Sequence, residues 1–159
     1  MTRLAAPDGT RTLFDGALVW DAHAGFETLP GMDLGKLSKW RDAGVSHLSV
    51  NVGYDVWSWE QCIRSLAFAR QWVIQASGYQ LVGTAAEVED AHVRGQLAVS
   101  FDLEGMSALD GNIDLLYLYY TMGVRQMLVA YNRNNLAGGG CHDLDVGLTS
   151  FGRRVVEEM

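Results

Sequence analysis

The sequence predicts an α/β protein in which a parallel β-sheet is joined by crossover helices. Three observations lead to this prediction. The chain has 159 residues, of which 48% are hydrophobic, and this length and composition suit one domain with its own core. Apolar β-like runs alternate with segments of helical periodicity. One of the runs, QLAVSFDLEGM, is nearly continuous in apolar residues, as strands covered on both faces are.

The first half of the chain contains two strands and two helices after a polar lead-in, residues 1–16. The run ALVWDAH (17–23) predicts a strand. A helix follows, because Leu34, Leu37 and Trp40 recur at helical spacing before Gly44. The run HLSVNVGY (47–54) predicts the second strand. A long helix closed by Gly78 is then predicted by a single apolar stripe, formed by Cys62, Leu66, Ala69, Val73 and Ala76.

The second half begins with an ambiguous segment and continues with clearer elements. Residues 79–95 are compatible with a short strand or a helix approach, followed by a charged, exposed helix that ends at Gly95. The next elements predicted are a buried strand over 96–106, a helix over 110–123 and a strand over 124–132. A glycine-rich loop leads to Thr149, which is a suitable N-cap for a last helix. Phe151, Val155 and Met159 share one face of that helix.

Polar side chains follow three of the predicted strands, and this feature separates two possible architectures. A doubly wound sheet competes with a barrel, but the first strand lacks the GxGxxG turn of nucleotide-binding versions. The carboxyl ends of barrel strands converge on one mouth, where chemistry is usually done. We therefore predict a (β/α)8 TIM barrel, which takes about 250 residues. Residues 17–159 are expected to form its N-terminal half, about the first four β/α units, as a truncated fragment.

Charge, cysteine content and hydropathy restrict the partners and the compartment. The formal net charge is −7, which argues against nucleic acid or an anionic membrane surface as a partner. Cys62 and Cys141 are far apart and form no CxxC motif, so a reducing compartment is expected. No stretch approaches the roughly 20 apolar residues of a membrane span. We expect a cytoplasmic protein.

His23 and Glu104 are the first candidates for a functional site. An imidazole at a strand end is a common ligand for zinc-like metals, although a hydrogen-bonded structural histidine is the alternative. Glu104 follows apolar strand residues, where a carboxylate requires a cation, either a metal or an arginine such as Arg133. One imidazole and one carboxylate at neighbouring strand ends form half of a divalent-metal site, which needs about four ligands.

Four segments in this order resemble the membrane (renal) dipeptidase family of zinc metallopeptidases. They are WDAH, AVSFDLEG, LYYTMGVRQMLVAYNRNN and GLTSFGRRVVEEM. The resemblance implies a barrel of the metal-dependent hydrolase type that holds two zinc ions and hydrolyses dipeptides by a metal-activated hydroxide. His23 corresponds to the histidine of the family's His-x-Asp pair, and Glu104 to the glutamate that bridges the two metals. The longer family member is expected to be a homodimer.

Two positions depart from the family pattern. Gly25 occupies the place of the aspartate in the His-x-Asp pair, so one metal loses a ligand. Asp21 is a candidate replacement, because strand alternation predicts that residues 21 and 23 share one face; Glu27 lies beyond the strand end. Tyr131 stands where many members have a substrate-binding histidine before the matched Asn132, and both are candidate substrate-binding residues. Substrate identity is therefore less defined than reaction class.

The resemblance also implies groups that these 159 residues do not contain. Two further histidine ligands and the acidic proton shuttle are expected beyond Met159, so we predict that the chain alone is inactive. The leading hypothesis is a zinc-dependent dipeptidase-like hydrolase acting on dipeptides. The alternatives are a divergent amidohydrolase acting on another small amide or ester, and a non-catalytic fragment.

Overall fold

The structure is a computed structural model that describes residues 9–159 and contains a parallel sheet flanked by helices. Residues 1–8 of the predicted lead-in lie outside the described residues. Two short 3-10 helices cover Gly35–Leu37 and Met106–Leu109. The α-helices and strands are, in chain order, α1 (Thr10–Asp15), β1 (Trp20–Ala24), α2 (Ser38–Ala43), β2 (His47–Tyr54), α3 (Trp59–Gln75), β3 (Tyr79–Leu81), α4 (Ala85–Val93), β4 (Leu97–Glu104), α5 (Asp114–Met122), β5 (Val124–Leu128) and α6 (Ser150–Glu158).

The sheet places the four longer strands in the order β1, β2, β4 and β5, and every pairing is parallel. The short strand β3 pairs with the first half of β4, from Leu97 to Val99. The pairing of β5 covers the second half of the same edge, from Phe101 to Glu104. The four longer strands are therefore neighbours in chain order, as successive β/α units of a barrel are. The short strand β3 is an accessory strand that occupies the amino-terminal part of the same edge of β4 as β5.

The central strands β2 and β4 show which face of the sheet carries the core. Leu48 pairs in register with Val99 and Val50 with Phe101, whereas Ser49 pairs with Ser100 and Asn51 with Asp102. Because successive side chains point to opposite faces, one face is apolar and the other is polar. The apolar face packs against α3, whose buried stripe is Cys62, Ser65, Leu66, Ala69 and Val73. This stripe confirms the long helix predicted from spacing.

The helix ends are fixed by side-chain caps and, at the end of α2, by a glycine in the left-handed conformation. Ser58 and Gln61 form a capping box at the start of α3, and Thr84 and Glu87 form another at the start of α4. Each box satisfies backbone N–H groups that lack helical partners. Gly44 ends α2 with φ +90°, a left-handed conformation that a β-carbon disfavours. The predicted stop at Gly44 is therefore correct.

Several predicted boundaries differ from the structure. No element was predicted in the polar lead-in, but α1 forms within it. The helix predicted over 110–123 begins only at Asp114, because a 3-10 turn and Asp110 in a left-handed conformation precede it. The strand predicted over 124–132 ends at Leu128. The ambiguous segment 79–95 forms both β3 and α4.

Among residues 9–159, no helix has both the length and the apolar character needed to cross a bilayer.

Candidate metal centre

A cavity lies at the carboxyl ends of β1, β4 and β5. Its volume is about 400 Å³. The sequence-predicted residues His23 and Glu104 both line it, so the structure brings together two side chains that are 81 positions apart in the sequence. The remaining lining residues come from the same three strands and are Ala22, Asp102, Leu103, Gln126, Met127 and Leu128.

A β-bulge in β1 determines where His23 points. Asp21 pairs with Leu48 and Ala24 with Val50, so three steps on β1 match two steps on β2. An extra residue of this kind reverses the alternation of side chains along the strand. The imidazole of His23 consequently lies on the polar face, where its Nδ1 is 2.9 Å from Oδ1 of Asp102.

Asp21 does not share a face with His23, and the prediction from simple alternation is wrong at this position. The bulge lies between the two residues. Both carboxylate oxygens of Asp21 accept hydrogen bonds elsewhere: Oδ1 from the backbone N–H of His23 at 3.2 Å, and Oδ2 from Nε1 of Trp40 in α2 at 2.8 Å. Asp21 therefore links β1 to α2 and does not line the cavity.

Asp102 is a buried carboxylate that the sequence analysis did not single out. Its residue exposure is 3%. Oδ2 accepts from Oγ of Ser49 at 2.7 Å, and Oδ1 accepts from Nδ2 of Asn51 at 3.2 Å as well as facing His23. Burial raises the pKa of Asp102, and these hydrogen bonds together with the charge of His23 oppose that rise. Its position two residues before Glu104 on β4 was the available signal.

Glu104 ends β4 beside Tyr54 of β2, with which it is paired in register. Burial raises the pKa of Glu104; His23 opposes the rise, and the carboxylates of Asp102 and Asp55 reinforce it. The alternative partner Arg133 is bound elsewhere, because its Nη1 is 2.8 Å from Oδ1 of Asp143. The structure therefore does not support the ion-pair interpretation of Glu104.

Gly25 leaves space next to the imidazole. A β-carbon built at this position lies 3.4 Å from Nε2 of His23 and 3.9 Å from the hydroxyl oxygen of Tyr54. Both distances are ordinary van der Waals contacts, and the backbone of Gly25 is not in the left-handed region. A side chain at position 25 would thus lie beside Nε2 of His23, where it could provide a second metal ligand.

Tyr131 and Asn132 lie in the loop after β5 and are not among the residues that line the cavity. Their backbone carbonyls accept hydrogen bonds from the N–H groups of Cys141 at 2.7 Å and His142 at 3.0 Å. The side chain of Tyr131 is exposed. These contacts hold the glycine-rich loop against the strand end, and the substrate-binding role of the two residues stays a prediction.

The donor set fits only part of a metal site. Within residues 9–159, no three His, Cys, Asp or Glu side chains are grouped so that they could share one ion. Two donors are nevertheless well placed: Nε2 of His23, which is opposite the nitrogen that faces Asp102, and the carboxylate of Glu104. Imidazole nitrogen and carboxylate oxygen are both normal zinc ligands, and a complete site needs about four.

The parallel strands and their chain-ordered pairing correspond to about half of a (β/α)8 barrel. The family model of the membrane dipeptidases, peptidase family M19, matches residues 32–159. The chain therefore belongs to the membrane dipeptidase family. Glu104 lies inside the matched segment, whereas His23 and Gly25 precede it.

Solved structures agree on the fold. An amidohydrolase from Pseudomonas aeruginosa superposes with a TM-score of 0.83 at 21% identity, covering 94% of this chain and 45% of that protein. A metallopeptidase from Rhodobacter sphaeroides, liganded with a phosphinate mimic of the dipeptide L-Ala-D-Ala, superposes with a TM-score of 0.68 at 23% identity, covering 89% of this chain and 55% of that one. The chain thus spans about half the length of these structures.

The match to a curated relative covers less of both proteins. It is an uncharacterized protein from the PQQ-III 3' region of Acinetobacter calcoaceticus, 27% identical over 103 residues. The match covers 60% of this chain and 33% of that protein.

Proposed function

We propose that this chain is part of a zinc-dependent dipeptidase-like hydrolase in which His23 and Glu104 are metal ligands. One observation carries the proposal: in a chain of the membrane dipeptidase family, the imidazole of His23 and the carboxylate of Glu104 line one cavity, and among the residues that the structure describes neither Nε2 of His23 nor Glu104 has an ionic partner. When bound, zinc supplies a Lewis acid and lowers the pKa of coordinated water. In the complete site, two ions are expected.

The proposed substrates are dipeptides. The family assignment supports this class, and the R. sphaeroides metallopeptidase, which has the same fold, was solved with a dipeptide mimic. The space beside Gly25 favours a second candidate, a divergent amidohydrolase that takes another small amide or ester, because a glycine there removes a possible ligand next to Nε2 of His23. A panel of dipeptides, other amides and esters separates the two candidates.

Zinc titration of the 159-residue chain tests the metal part of the proposal. We expect weak zinc binding by isothermal titration calorimetry, lost in both His23→Ala and Glu104→Gln. His92→Ala is the matched control, because His92 lies on α4 outside the cavity. Equal affinity in wild type and all variants would contradict the assignment of these ligands.

We also propose that the chain alone does not turn over dipeptides, since only two ligands are identified in it. Zinc-dependent hydrolysis of a dipeptide by the purified 159-residue chain, abolished by Glu104→Gln, would disprove this part and strengthen the assignment of reaction class. No hydrolysis at any zinc concentration is the expected result.

A cytoplasmic location completes the proposal. Cys62 is buried and Cys141 is exposed, and both are free thiols, which suits a reducing compartment. Cell fractionation with an antibody to the chain tests the location.

A further inference from the structure

The carboxylate of Asp102 is held more firmly than its neighbours in the cavity. A buried, unpaired carboxylate would be costly, so its surroundings must supply donors. Ser49 and Asn51 are both fully buried on β2, and they donate to different oxygens of Asp102. Because Asn51 is also the register partner of Asp102, strand pairing and side-chain hydrogen bonds fix the same group.

The imidazole of His23 is held on one side only. Its side chain is 48% exposed, against 5% for Asp102. The contact of 2.9 Å joins Nδ1 to the fixed carboxylate, and Nε2 is directed to the space at Gly25, 3.4 Å from the position of a β-carbon there. A carboxylate accepts but does not donate, so this contact selects the neutral tautomer that carries its proton on Nδ1.

We propose that Asp102 is a positioning residue, which holds His23 as the Nδ1–H tautomer and directs the lone pair of Nε2 into the cavity. A carboxylate behind a metal-binding histidine orients the ring and increases its basicity. The chain thus retains a carboxylate next to His23 although position 25 is glycine, but this carboxylate lies on the Nδ1 side and acts through the imidazole. The effect of Asp102 on metal binding rests on the proposed function, whereas its effect on the tautomer of His23 is independent of that function.

Long-range ¹H–¹⁵N correlation spectra of the metal-free, ¹⁵N-labelled 159-residue chain test the tautomer directly. The spectra are recorded at about pH 8, where an unperturbed imidazole is neutral. We expect Nδ1–H for His23 in wild type. In Asp102→Asn, the amide can donate to Nδ1, so the Nδ1–H preference should be lost. Asp143→Asn, at the carboxylate that binds Arg133, should leave the His23 tautomer unchanged.

Zinc affinity supplies a second measurement. Loss of such a partner typically lowers metal affinity about 10- to 100-fold, so Asp102→Asn should show a loss of this size and Asp143→Asn none. Circular dichroism checks that each variant is folded. If Asp102→Asn does not fold, Ser49→Ala removes one donor to Asp102 while keeping the carboxylate, and it should make the Nδ1–H tautomer less dominant.

The outcomes are distinct. Protonation of His23 on Nε2 in wild type, or an unchanged tautomer in folded Asp102→Asn and Ser49→Ala, overturns the positioning role. The expected tautomers without zinc binding in any variant support the positioning role and count against the proposed function of this chain.

Discussion

Replacing Gly25 by aspartate tests whether the missing carboxylate is what limits metal binding. The structure offers room for it, because a β-carbon at position 25 meets its nearest atoms, Nε2 of His23 and the Tyr54 hydroxyl, at 3.4 Å and 3.9 Å. Neither contact forces the backbone to move. The new carboxylate would stand beside the nitrogen that we assign to the metal, whereas Asp102 occupies the other side of the ring.

The expected effect has two opposing parts. Without metal, the added negative charge joins the carboxylates of Asp102 and Glu104 around His23, and even at about 4 Å two like charges repel by only about 1 kcal/mol in water. With metal, an added anionic ligand should tighten binding at least about 10-fold, or about 1.4 kcal/mol. Zinc at about 100 times its dissociation constant would then stabilise Gly25→Asp by about 2.7 kcal/mol. For a chain of this size, that corresponds to a rise in Tm of about 5–11 °C.

Thermal melts with and without zinc measure both parts, and Gly25→Asn is the matched control with the same shape and no charge. We expect a lower Tm than wild type for metal-free Gly25→Asp and a larger zinc-induced rise. Gly25→Asn should show neither effect. Equal zinc-induced shifts in Gly25→Asp and Gly25→Asn would refute the argument that position 25 is next to the metal.

Two further predictions concern charge and packing. Because burial raises the pKa of Glu104, the native state retains a proton that the unfolded state has already lost, so this group lowers stability as pH rises from about 4 through its folded pKa. In urea unfolding of the metal-free chain, the free energy of unfolding of Glu104→Gln should therefore increase relative to that of wild type as pH rises over that range. A decrease relative to wild type would contradict the assigned direction of the pKa shift. Leu66 is 0% exposed and lies on the buried stripe of α3. Its replacement by alanine should lower the free energy of unfolding by about 2–5 kcal/mol. Val93→Ala, at a position 84% exposed, should change stability by less than about 0.5 kcal/mol, and equal losses in these two variants would show that α3 does not carry the core.

The barrel architecture could be predicted because it depends on local patterns that the sequence displays. The apolar runs at 47–54 and 97–104 form buried strands. The polar residues expected at three strand ends, which were Asp21 and His23, Glu104, and Tyr131 and Asn132, indicated one functional mouth. That logic placed His23 and Glu104 at the same cavity. The accessory strand β3 was ambiguous because three residues give too little periodicity to distinguish strand from loop.

The face of Asp21 could not be predicted, since it depends on a bulge whose position is set by pairing with β2. Alternation alone places residues 21 and 23 together, and one extra residue in the strand separates them. Asp102 was missed for a related reason. Its position two residues before Glu104 on the same strand is the one signal in the sequence, and its role depends on Ser49 and Asn51 of another strand.

A crystal structure of the chain soaked in zinc, with anomalous scattering measured at the zinc edge, tests the central claim most directly. We predict an anomalous peak in the cavity, about 2.0–2.1 Å from Nε2 of His23 and about 2.0–2.2 Å from a carboxylate oxygen of Glu104. A zinc ion bound elsewhere, or a cavity without a peak while zinc occupies other sites, would contradict it.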